Sequence, residues 1–182
     1  MTMTTTLVRT GSALAAAGLL VGMLSACTPE ADPTPTPTKT AAFATDEEAF
    51  AAAEETYRAY SDATNASDLT DPDSFEPVFA LLAGPALSTE RETFSQMRAS
   101  DLTRTGSVSF DSFTPVSVDG SKVTANVCLD VSAVELTYPD GTSAVPADRP
   151  PRTPRTVVFS PGASPTGLKI VSSVLPDGEF RC

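Results

Sequence analysis

Apolar side chains recur every three or four residues up to Leu102, and every second residue from Arg104 onward. That change of period sets the fold class, because a helix face repeats at 3.6 and a strand face at 2. In the first half, Thr45 and Glu48 form a Thr-x-x-Glu capping box, which satisfies free N–H groups at a helix start. Phe50, Ala53, Tyr57, Tyr60 and Ala63 follow as one stripe, with Glu54, Glu55, Arg58 and Asp62 on the other face. The spacing predicts a helix over about 46–65. Asp71-Pro72-Asp73-Ser74 reads as a turn, with Ser74 the expected N-cap of a short helix carrying Phe75, Val78, Phe79 and Leu82. Gly84-Pro85 is expected to end that helix. A third helix is expected over about 88–102, capped by Ser88, with Phe94, Met97 and Leu102 inward.

Beyond Arg104, Val108 and Phe110 alternate with polar residues, and Phe113 breaks the phase, which predicts a bend or bulge. Asp119-Gly120 signals a tight hairpin. Val123, Ala125, Val127, Leu129 and Val131 then alternate with Lys122, Thr124, Asn126, Cys128 and Asp130. That is a strand with one buried and one more polar face. Pro139-Asp140-Gly141 is a further turn, and residues 155–160 and 167–175 read as two more strands. Helices first and strands afterwards give the α+β class: two to three N-terminal helices packed on a bent antiparallel sheet of about four to five strands.

The N-terminus is of another kind. Residues 1–12 carry one charge, Arg9; Ala13 to Leu24 is apolar except for Gly18 and Gly22; then comes Leu24-Ser25-Ala26-Cys27. This is the layout of a secretory signal, and the apolar run is too short to span a bilayer, which needs about 20 residues. Leu-Ser-Ala-Cys resembles the lipobox of bacterial lipoproteins. The resemblance implies cleavage before Cys27, a diacylglyceryl group on its thiol, and anchoring on the outer face of the cell membrane through that lipid. An ordinary signal peptide followed by an incidental cysteine is the plainer alternative. Two acyl chains anchor stably where one does not. Residues 28–44 alternate Pro and Thr, an extended tether with a reach of roughly 50 Å at about 3.1 Å per residue. The expected organisation is 1–26 signal peptide, 27–44 lipidated cysteine and tether, and 45–182 one globular domain.

Without residues 1–26 the chain has 11 Lys+Arg against 23 Asp+Glu, a net charge of −12. Nucleic acid is therefore not an expected partner, since phosphate binding needs a basic footprint. There is no histidine, which removes Ser-His-Asp and Cys-His catalysis and His-ligated metal sites. Neither a metal nor a cofactor is expected. Two cysteines remain beyond Cys27, Cys128 and Cys182, either paired in an oxidising compartment or left as two buried thiols.

Three helices followed by a bent sheet resemble the nuclear-transport-factor-like fold, the cystatin-like cone. The strand Val123 to Val131, with Val127-Cys128-Leu129-Asp130, is similar to the central strand of Gram-positive lipoproteins of that class. The resemblance implies a Cys128–Cys182 disulfide. This chain departs from the class in having no tryptophan.

The cone hosts enzymes, binding modules and inert scaffolds, so the fold does not choose a function. Its steroid-isomerase relatives use a Tyr and Asp residues in the cone mouth, and here Tyr57, Tyr60 and Asp130 are the trio that matches. The plainer reading of the same residues is core aromatics and a solvated or paired Asp130. Phe50, Tyr57, Phe79, Phe94 and Phe110 line an apolar cavity or fill a core. Arg149-Pro-Pro-Arg152-Thr-Pro-Arg155 places three arginines at the polyproline period, along one edge that an anionic partner would meet; the alternative is a loop whose arginines pair with the protein's own carboxylates. Asp68, Asp71 and Asp73 lack calcium-loop spacing and are expected in turns, while Asn65-Ala66-Ser67 matches a glycosylation acceptor. The expected function is a non-catalytic, membrane-anchored binding or envelope-assembly module, its partner an envelope protein. A small-molecule carrier with an apolar pocket is the alternative, ahead of an enzyme.

Overall fold

Thr45 ends the extended backbone and starts α1, Asp46–Ala66. Its hydroxyl accepts from the Glu48 N–H at 3.1 Å, and the Glu48 carboxylate accepts from the Ala44 N–H at 3.0 Å. The capping box therefore forms, with its return bond one residue earlier than in the standard motif. The computed structural model describes residues 43–182. The expected signal peptide, Cys27 and the expected tether up to residue 42 lie outside the described residues. Among those described, no helix is long and apolar enough to cross a membrane.

The helices differ from expectation in where they begin. Asp71, not Ser74, caps the turn Pro72–Phe75, which runs into α2, Glu76–Ala80. Ser74 instead donates to the carbonyls of Asp68 and Asp71. Gly84-Pro85 does not close α2; it opens α3, Gly84–Ala99, four residues before Ser88. Proline suits the first helical turn, where its missing N–H costs nothing. Between α2 and α3 the chain bridges to the last strand: the Ile170 N–H donates to Leu81 O and the Ala83 N–H to Ile170 O, both at 2.9 Å. That bridge fixes where α3 sits.

The strands are β1 Thr103–Thr105, β2 Ser109–Asp119, β3 Lys122–Asp130, β4 Glu135–Thr137, β5 Arg152–Pro161 and β6 Leu168–Val174. Four make an antiparallel sheet in the order β2-β3-β5-β6. β1 and β4 form a second, two-stranded sheet that periodicity did not reveal. The expected bulge is present: register slips between Asp111 and Thr114, and Ser112 takes a φ of +54°. The expected hairpin turns at Gly120 and Ser121, with Gly120 at φ +60°. Val123, Ala125, Val127, Val157, Phe159 and Ile170 are buried under α1 and α3, in one core with Ala49, Ala53, Tyr57, Val78 and Phe94. The sheet's other face carries Cys128, which is bonded to Cys182 with its Cα 5.6 Å away.

Asn65 joins helix to sheet. Its amide nitrogen donates to Val108 O at 2.9 Å, and its oxygen accepts from the Val108 N–H at 2.8 Å. A glycan would need that same nitrogen, so the acceptor match at Asn65 has a structural role instead. Asp68 and Asp71 each accept a backbone N–H two residues on, the turn duty expected of them.

Candidate functional site

α1 and α3 stand apart over the concave face of the sheet, and the small β1–β4 sheet closes one side. Between them lies a cleft of about 400 Å³. Leu82, Phe94, Met97, Leu129, Val134 and Ile170 are among its apolar walls. Of the aromatic candidates, Tyr57 and Phe94 line it. Phe110 packs edge-on against the Tyr57 ring at 4.8 Å, and Phe79 edge-on against Phe94 at 5.9 Å, both as core. Phe50 also packs against the core.

Tyr57 and Tyr60, one helical turn apart, both reach the cleft, as their spacing implies. Asp130 does not. It belongs to the opposite face of β3 from Val127 and Leu129, accepts from the Ser132 N–H at 2.9 Å, and is held below the usual carboxylate range by Ser132 and, more weakly, Arg152. The carboxylate that does join the tyrosines is Glu90 of α3: the Tyr60 hydroxyl donates to it at 3.1 Å. The sequence does not single out Glu90, because a helix begun at Ser88 places it in the first turn, whereas α3 begins at Gly84. Nothing local marks it, since its place depends on the α2–α3 bridge to β6.

Burial governs the titration of this set. It pushes the Tyr57 phenol up to about 12. Tyr60 is raised further, by burial first and then by the Glu90 charge. Burial also raises the Glu90 carboxyl above its ordinary 4.5, while the Tyr60 hydrogen bond, Arg155 and Arg104 pull it down less strongly. The folded domain thus holds this proton more tightly than the unfolded chain. The associated stability is full below pH 4.5 and is lost as pH rises through the folded-state value. Glu90→Gln is therefore expected to match the parent at pH 4 and to melt at a higher temperature at pH 8. Equal melting temperatures at pH 8 would contradict the account.

The three arginines do not share an edge. Arg152 and Arg155 lie on β5, where the period is two, so a spacing of three turns them to opposite faces. Arg152 pairs with Asp111 at 2.5 Å on the face that carries the disulfide. Arg155 faces the cleft and donates to Ser173 O at 2.6 Å. Arg149 also lines the cleft, donating to Val131 O and Val134 O at 2.8 and 2.7 Å. Arg104 joins them from β1, donating to Thr64 O and Ser67 O at 2.5 and 2.7 Å across the C-terminal end of α1. A cation is favoured at that negative helix end. Thr64 lines the same wall, and its hydroxyl has no hydrogen-bond partner among the described residues. Among those residues no group of acids or cysteines could hold a metal ion.

No protein-family model matches the chain, and no curated protein matches it in sequence. Solved structures resemble it in shape. The intermembrane space region of the chloroplast protein ARC6 aligns at 18% identity over 67% of this chain and 92% of its own, with a TM-score of 0.45. A Catenulispora acidiphila protein in complex with S-DNPA aligns at 18% over 70% and 92%, TM-score 0.44. A candidate aromatic ring hydroxylase from Novosphingobium aromaticivorans aligns at 13% over 72% and 89%, TM-score 0.45.

Proposed function

We propose that this chain is a membrane-tethered binding protein, held by lipid on Cys27, whose α+β domain takes a small, largely apolar molecule into the cleft between α1, α3 and the sheet. The cleft carries the reading. At about 400 Å³ it falls within the range of small-molecule sites, and it has the expected make-up, apolar walls with a few polar groups. This moves the small-molecule carrier ahead of the envelope-assembly module, for which no described surface argues. An enzyme stays third: Asp130 lies away from the tyrosines, and the Tyr60 hydroxyl proton is already engaged by Glu90. Three sequence and structural features support an extracytoplasmic setting: the signal-like N-terminus, the Leu24-Ser25-Ala26-Cys27 motif, and a disulfide, which persists in oxidising compartments.

Two substitutions test the two halves of the proposal. Ala86 sits in the cleft wall on α3. Ala86→Phe adds a ring to the space and is expected to weaken binding of a fluorescent anilinonaphthalene probe by at least about tenfold, with little change in melting temperature. Undiminished probe binding would remove the cleft as the site. Cys27→Ser is expected to move the full-length protein from the membrane fraction to the medium; a variant that stays in the membrane fraction would remove the lipid anchor.

A further inference from the structure

The charged residues of the cleft are unevenly matched. Arg104, Arg149, Arg155 and Glu90 are the charged groups that line it. The only ion pairs among the described residues lie elsewhere, Arg58 with Glu54 and Arg152 with Asp111. Each cleft arginine instead donates to neutral partners: Arg104 to the carbonyls of Thr64 and Ser67, Arg149 to those of Val131 and Val134, Arg155 to Ser173. In every case the bonds use Nη2, or Nε and Nη2, and leave Nη1 without a hydrogen-bond partner among the described residues. Asp68 lies beside Arg104 outside the cleft. Set against Glu90, Arg149 and Arg155 still leave the cleft a positive charge in excess. This occurs in a protein whose net charge is −11.

A guanidinium in apolar surroundings gains most from an anion that reaches its free N–H groups, because such charge-assisted bonds are about twice as strong as neutral ones. Here the backbone already fixes each guanidinium, so little side-chain freedom remains to be lost on binding. Resting on the cleft being a binding site, we infer that its ligand is an amphipathic anion: an apolar body seated against Leu82, Phe94, Met97 and Ile170, with a single carboxylate facing Arg149 and Arg155. A protein-wide negative charge disfavours anions at long range, so these two arginines supply the local attraction that selects this head group.

The test is calorimetric titration of the purified full-length protein with decanoate, decanol and decylamine, and with naphthoate against naphthol. Decanoate or naphthoate is expected to bind at least about tenfold more tightly than its alcohol, as one charge-assisted bond implies. The better of the two acids separates a straight chain from a flat ring. Arg155→Gln, which keeps a donor for Ser173, is expected to cut acid binding about tenfold and so to narrow the ratio of acid to alcohol affinity. Equal binding of acid and alcohol would overturn the anion while leaving the cleft a binding site. Tightest binding by decylamine would overturn it in favour of a cation facing Glu90. Binding of none of the five probes would overturn the binding site itself. The comparison among ligands needs no variant, so misfolding of Arg155→Gln would not spare the proposal.

Discussion

Replacing Cys128 and Cys182 together by alanine is expected to lower the stability of the domain by about 4 kcal/mol. The bond closes a loop of 54 residues, and the chain-entropy relation gives that figure for the unfolded-state freedom it removes. Native burial adds to the effect. Cys128 is only 1% exposed near the end of β3, and its partner is Cys182. The bond therefore holds the segment after β6 across the outer face of the sheet, where Arg152 donates to Cys182 O at 3.5 Å. Losing it frees that segment and uncovers Cys128's site together. Urea denaturation of parent and double variant measures the difference, which corresponds to roughly 10–15 °C in Tm for a domain of this size. A loss under about 1 kcal/mol would mean that the C-terminal segment contributes little to the fold.

The second large effect concerns Gly106, which links β1 to β2. Its φ is +73°, and a methyl group built on it falls on the Ala133 carbonyl oxygen. Gly106→Ala meets two penalties. One is the left-handed backbone, about 1–2 kcal/mol for an L-residue. The other is displacement of the β3–β4 loop, which brings the expected total to about 3 kcal/mol. Gly120→Ala provides the control: it has a φ of +60° but open space around its Cβ position, so it should cost only the backbone part. The difference has a functional consequence, because β1 and β4 carry Arg104 and Leu136 into the cleft wall and the β3–β4 loop carries Val134. Gly106→Ala is thus expected to weaken probe binding as well as stability, and Gly120→Ala to leave binding intact. Equal stability losses in the two variants would show that the Ala133 contact is not a constraint.

The period change at Arg104 was enough to read the order of helices and strands, and the α1 cap, the β2 bulge and the Gly120 turn were each visible in a few adjacent residues. What escaped is what depends on tertiary contact. β1 and β4 are three residues each, too short for alternation to register. Gly84-Pro85 carries both a stop and a start signal, and the bridge from Leu82 to Ile170 decides between them. The same choice hides Glu90, because a helix begun at Ser88 places it in the first turn, where no local feature marks it as facing inward. The prolines between Arg149 and Arg155 suggest the polyproline period, whereas β5 begins at Arg152 and sends Arg152 and Arg155 to opposite faces. Tyr57 and Tyr60 were found because their relation is local to one helix; their carboxylate partner lies 30 residues further on, in another.

The central claim is that the cleft holds a small apolar molecule. Native mass spectrometry of the full-length protein, exported and released gently from its membrane, tests it most directly. The account predicts a population heavier than the chain with its disulfide and lipid by one small organic molecule, lost on organic extraction and absent from Ala86→Phe. A single ligand-free mass that stays unchanged when decanoate, naphthoate and their alcohols are added would contradict it.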